Sequence, residues 1–221
     1  MRSIALFSLQ PFLPKGGETL DPIIGLVLLL NVTAAKKAVI LSRKLTGKQV
    51  DPSLVLEDGK TSRAIAHLSM IHMVRPEDGT SRLREALRHR VRRFRGQVRG
   101  KFTGLGLRRN WAFWETPRTP ELDNLHRTVI TTARRFSTKP VPISWPMNET
   151  QQRMHQIYGY PACGECFDPH VTLSIFPPDA IDEKLVRESS VTCQWTSPAL
   201  ALVEIGPQGR AVKILHRITL L

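Results

Sequence analysis

The hydrophobic pattern of the chain changes period several times, and each change marks an element. Residues 23–31, "IIGLVLLLN", are a continuous apolar run bounded by Pro22 and Asn31, which reads as a buried strand. Asn31 or Thr33 can cap a helix through "AAKKAVILSRKLTG", where Ala35, Val39 and Leu41 or Ile40 recur at helical spacing and Gly47 supplies the stop. Asp51, Pro52, Asp58 and Gly59 mark a loop around a short "LVL" strand. "AIAHLSMIHM", 64–73, predicts the next strand, ended by "RPEDG". From there Leu83, Leu87, Val91, Phe94 and Val98 form one continuous helical stripe, with Ser81 or Thr80 as its cap.

The order then returns. "WAFWE", 111–115, predicts a strand, and Thr119-Pro120-Glu121 starts a helix that puts Leu122, Leu125, Val129, Ala133 and Phe136 on one face. A Pro-rich stretch from Lys139 to Pro161 separates it from the strand "HVTLSIF" and the short helix "DEKLVRES". Two alternating runs around Gly206-Pro207-Gln208-Gly209 predict a closing hairpin. Strand, helix, histidine-led strand, helix thus occurs twice, as a repeat of elements and not of residues. The expectation is an N-terminal extension, 1–20, and one α+β domain, 21–221, built from two similar lobes without a linker.

Side chains on a strand alternate. His67 and Ser69 therefore share one face, with Leu68 and Met70 opposite; His170, Thr172 and Ser174 share another, with Val171, Leu173 and Ile175 opposite. Each strand offers an apolar face for packing and a face led by histidine, with a hydroxyl two residues on. That set suits phosphoryl chemistry. One neutral imidazole takes a proton from the attacking hydroxyl, one imidazolium gives a proton to the leaving oxygen, and the hydroxyls donate to nonbridging phosphate oxygens. His72, His89, His126, His155 and His216 lack this context and read as surface or packing residues.

"HLSM" and "DPHVTLSIF" resemble the two signature motifs of the 2H phosphoesterases, the superfamily of 2'-5' RNA ligase-like and cyclic nucleotide phosphodiesterase proteins. The resemblance runs from about Ile23 to Leu220. It implies a bilobed α+β fold with antiparallel sheets around a central cleft. It also implies metal-independent hydrolysis or transfer at 2',3'-cyclic phosphates or 2'-5' phosphodiesters. His67 and His170 become the acid/base pair, and Ser69 and Thr172 the phosphate-binding hydroxyls. Ser69 departs from the threonine that the family more often carries. A runner-up reading is an RNA-binding module of the same fold without turnover.

Charge narrows the partner. With 32 Lys+Arg against 19 Asp+Glu, the formal charge of +13 favours polyanions: RNA, DNA, phosphorylated metabolites or an anionic membrane surface, of which the resemblance implies RNA or a nucleotide. Arg82, Arg84, Arg88, Arg92, Arg95 and Arg99 flank one helix and could track a phosphate backbone. Arg108, Arg109, Trp111, Trp114 and Tyr158 are candidate nucleic-acid contacts, the aromatics by stacking bases. Cys163-x-x-Cys166 before His170 could be half a zinc site or a redox pair, but no second CxxC or CxxH completes it. No metal and no cofactor are expected. Three cysteines fit a reducing compartment, and the longest apolar run is about half the roughly 20 residues of a membrane span. Pro11 and Pro14 interrupt the only apolar stretch that could serve as a signal peptide. The expectation is a cytoplasmic protein without a membrane partner, a monomer in its simplest form.

Overall fold

The computed structural model describes residues 21–46, 54–55, 64–108, 110–137, 139–176, 182–206 and 209–220. Expectations for 1–20, Gly47, the loop residues Asp51, Pro52, Asp58 and Gly59, Arg109 and Pro207-Gln208 lie outside the described residues.

The apolar run becomes β1 (Ile23–Leu29), followed by α1 (Val32–Thr46), two short strands, β2 (Leu54–Val55) and β3 (Ala64–Ile65), and the first histidine strand, β4 (His67–Val74). The predicted 64–73 strand is thus interrupted at Ala66. Next come α2 (Ser81–Val91), β5 (Arg99–Phe102), β6 (Gly104–Arg108), β7 (Trp111–Glu115) and α3 (Pro120–Ala133). The second half holds α4 (Glu149–Tyr158), the second histidine strand β8 (His170–Ile175), α5 (Glu183–Glu188), β9 (Cys193–Thr196), β10 (Ala199–Ile205) and β11 (Ala211–Thr219). Both repeats of the predicted order are present, as β1-α1-β4-α2 and β7-α3-β8-α5.

The strands form an antiparallel sheet of order β11-β10-β1-β4, a second antiparallel sheet of order β6-β7-β8, and the pairs β5-β9 and β2-β3. One face of the first sheet carries Ile24, Leu26, Leu28, Leu68 and Met70 into the main core, where Leu83, Leu87, Leu122, Leu125 and Val129 of α2 and α3 meet them. Helix α1 crosses to the other sheet and packs on β8, where buried Ser42 Oγ donates to Leu173 O at 2.6 Å. Among the described residues no helix is long and apolar enough to cross a membrane.

Two expectations are corrected. The stripe through Val98 predicts one helix over 81–98, but α2 ends at Val91, tightens into a 3₁₀ turn at Arg92–Phe94 and reverses at Gly96, whose φ of 70° places it in the left-handed region. Phe94 and Val98 still reach the core, one from that turn and the other from the approach to β5. Burial at helical spacing does not require a helix.

The Pro-rich stretch contains α4. Asn148 accepts from Gln151 N at 2.8 Å while Gln151 Oε1 accepts from Asn148 N at 3.1 Å, a reciprocal cap, and Gly159 closes the helix at φ 76°. Asn148→Ala is expected to destabilise the protein by about 1 kcal/mol in urea unfolding, with the m-value unchanged.

Candidate active site

The two histidine strands are built alike. In β4, His67 pairs with Leu29 and Ser69 with Val27 of β1; the register then skips Met70 before Ile71 pairs with Leu26. In β8, His170 pairs with Glu115 and Thr172 with Phe113 of β7; the register then skips Leu173 before Ser174 pairs with Ala112. Each bulge falls three residues after its histidine. A bulge interrupts alternation, so the face assignment changes beyond it. Ser174 is buried beside Ala112 on the core side, and Ile175 pairs with Trp111 on the histidine face, the reverse of the alternation expected. The Leu173 carbonyl at the second bulge is the one that Ser42 holds.

Both imidazoles are oriented by the same device. His67 Nδ1 lies 2.6 Å from Ile65 O, and His170 Nδ1 lies 2.7 Å from Asp168 O, in each case the carbonyl two residues back. A carbonyl only accepts, so each Nδ1 carries the proton and donates it, which leaves each Nε2 as the free lone pair of the neutral ring. Ser69 Oγ lies 3.1 Å from His67 Nε2. Strands β4 and β8 pack against each other; burial lowers the pKa of His67, the hydrogen bond to Ile65 O partly opposes it, and nearby His170 lowers it a little further. Burial, with a smaller contribution from Arg108, pulls His170 down to about 4.

The surroundings of the two rings differ. Opposite His67 stands apolar Leu29, whereas His170 faces a charged group. Arg108 of β6 bonds Asp168 and lies 3.2 Å from Glu115 Oε1, its guanidinium 5.6 Å above the Phe113 ring. Phe113 in turn contacts His170, with ring centroids 4.2 Å apart, and stacks with Trp111 at 6.1 Å. Gly106 makes this possible: a Cβ there would collide with the Glu115 carboxylate that bridges to Arg108. Glu115 and Asp168 have no role in the sequence reading. Strand pairing with β8 is what recruits them, and no local motif marks it.

Of the other candidates, Trp111 shares the His170 face. Trp114 is fully buried, stacked on Phe102 at 4.1 Å with Nε1 donating to Val191 O, which removes it from the nucleic-acid contacts. Tyr158 ends α4 half-buried against the main core. Two histidines without a motif context are buried. His126 stacks on Phe167 at 3.7 Å and accepts from Gly164 N. His72 pairs with Gly25 beyond the Met70 bulge, which returns it to the face of His67 and Ser69; it contacts Tyr160, and its Nε2 has no hydrogen-bond partner among the described residues. Cys163 donates to Tyr160 O, and burial pushes its thiol up to about 12, so it stays protonated at neutral pH.

No family model matches the sequence, and no curated protein is matched by it. Solved structures do match. TT0787 of Thermus thermophilus is 19% identical, with a TM-score of 0.57 over 90% of this chain and 97% of that one. E. coli LigT complexed with phosphate is 14% identical (TM-score 0.43, 90% and 96% covered), and LigT complexed with 3'-AMP is 16% identical (TM-score 0.43, 90% and 97%). At such identities the likeness is one of fold alone: the chain shares the α+β fold of TT0787.

Proposed function

We propose that the chain is a metal-independent phosphoesterase acting on 2',3'-cyclic phosphate or 2'-5' phosphodiester bonds of RNA or small nucleotides. His67 and His170 serve as general acid and base, and Ser69 and Thr172 hold the phosphate. The observation that carries this reading is the matched construction of the two strands. Each has its Nδ1 tied to the carbonyl two residues back, its hydroxyl two residues on and its bulge three residues on. Two rings held in the same tautomer beside each other can divide one proton between them. In hydrolysis of a cyclic phosphate, Nε2 of one ring takes a proton from water as the water oxygen bonds to phosphorus. The bond from phosphorus to one ribose oxygen breaks, and that oxygen takes the proton from Nε2 of the other ring. With a ribose 5'-hydroxyl in place of water the same pair carries out ligation. Phe113 and Trp111 offer a stacking surface beside His170.

The test is turnover of a 2',3'-cyclic nucleotide and of a 2'-5'-linked oligonucleotide in excess chelator. Cleavage of neither, with salt-sensitive RNA binding retained, favours the binding module instead. The pH profile adds a sharper check, because kcat/KM reports the free protein. Burial pulls His170 to about 4 and also lowers His67, so the state with one ring protonated is most populated on the acid side. The kcat/KM optimum is expected below about pH 6.5, with a decline above it. A maximum on the alkaline side of neutrality contradicts the two-histidine scheme.

A further inference from the structure

Helices α2 and α3 cover the face of the first sheet opposite His67. Between their outward surfaces runs a groove of about 560 Å³ lined by His89, Arg90, Arg93, Arg127, Thr128 and Thr131. Three guanidinium groups and two hydroxyls line it, and no carboxylate does. The acids near α2 are engaged elsewhere, Asp78 with Arg82 at 2.8 Å and Glu85 with Arg88 at 2.7 Å. Arg90, Arg93 and Arg127 are exposed and form no ion pair among the described residues. Arg93 is also pre-aimed. Its guanidinium lies 4.9 Å from the centre of the Phe94 ring, and Nη2 donates to Thr128 Oγ1 at 2.8 Å, which leaves further N–H groups for a ligand.

We propose that this groove binds the phosphate backbone of RNA, as an anchoring surface separate from the histidine cleft. Cations that converge without partners keep a positive field that a polyanion relieves, with release of its counterions. On the other side of α2, Arg84, Arg88 and Arg217 line a second cavity of about 360 Å³ together with Glu85, which is paired with Arg88, so three guanidinium groups face one carboxylate there. An extended backbone matches that spread better than one small anion does. A membrane surface matches less well, because the exposed large apolar residues Val32, Ile40, Ile157 and Val191 all lie outside α2 and α3. The choice of RNA rests on the phosphoesterase reading; the binding of a polyanion does not. The groove and His67 lie on opposite faces of the first sheet, so the anchor adds affinity for long strands and takes no part in the chemistry.

The experiment measures binding directly, so it is valid even for a chain that cleaves nothing. Fluorescence anisotropy with single-stranded RNA of about 20 nucleotides is followed across a salt series for wild type and the variant Arg90→Gln/Arg93→Gln/Arg127→Gln. The variant is expected to bind roughly tenfold or more weakly at low salt, with the slope of log K against log salt reduced by about 2. Its melting temperature, recorded alongside, separates a lost anchor from a lost fold. Unaltered affinity and slope in the folded variant overturn the proposal, as does tighter binding of wild type to phosphatidylserine vesicles than to RNA. Normal RNA anchoring by a chain that turns over no substrate overturns the phosphoesterase reading alone.

Discussion

Alanine at His170 is expected to lower turnover of a 2',3'-cyclic nucleotide by about two to four orders of magnitude, and alanine at His67 by a similar factor. Both substitutions remove a proposed proton carrier whose orientation is set by one backbone carbonyl. Glu115 and Asp168 near His170 are already committed to Arg108. The double variant is expected to be no worse than about tenfold below either single one, because the two rings act as a unit and losing one idles the other. The hydroxyls divide differently. Thr172→Ala removes a proposed phosphate donor, with an expected loss of about a hundredfold. Ser69→Ala removes a donor and also the contact to His67 Nε2 at 3.1 Å, so it should shift the pH profile as well as its height. RNA binding at low salt should survive all four changes. Additive losses in the double histidine variant would show two independent steps and end the shared-proton scheme.

How much of this is readable from the chain depends on which residues carry a periodic signal. His67 and His170 stand out because each opens a period-two strand with a hydroxyl two residues on, and element order repeats around them. The bulges at Met70 and Leu173 are invisible, since the skipped residues are ordinary apolar ones and the misregister exists only against β1 and β7. For that reason alternation puts Ser174 on the wrong face and gives no hint that His72 joins the face of His67. Alternation separates Trp111 from Trp114 but does not say which side is the core, and the partner strand decides that. The reciprocal cap of α4 stands in plain sight as Asn148 and Gln151, with Gly159 at the end. Proline density around it conceals a helix that contains no proline. Arg108 stands out for its charge, yet its position beside His170 depends on Gly106 leaving space in β6, a long-range packing fact.

Acidification from about pH 6.5 to 4 is expected to remove most of the protein's stability, on the order of 10 kcal/mol. Burial holds His72 and His126 at about 3 and His170 at about 4, and lowers His67. In the unfolded chain all four return to an ordinary value near 6.5. Between those limits the unfolded state binds protons that the folded state refuses, so stability rises with pH. The contribution is fully present above about 6.5 and is lost as pH falls toward the folded values, roughly 3 kcal/mol for each of the three groups. Urea unfolding at several pH values measures it directly. His72→Phe separates this cause from general acid effects, because it keeps a ring against Tyr160 and removes a nitrogen that has no partner. The variant should match or exceed wild type in stability at pH 7, since an unpartnered buried polar atom costs about 1–3 kcal/mol. Its stability should also fall less steeply in acid, by about 1.4 kcal/mol per pH unit, the share of one proton. A wild-type protein equally stable at pH 7 and 4.5 would mean that these rings are already solvated or protonated in the fold. In that case the neutral, lone-pair state assigned to His170 would fail with them.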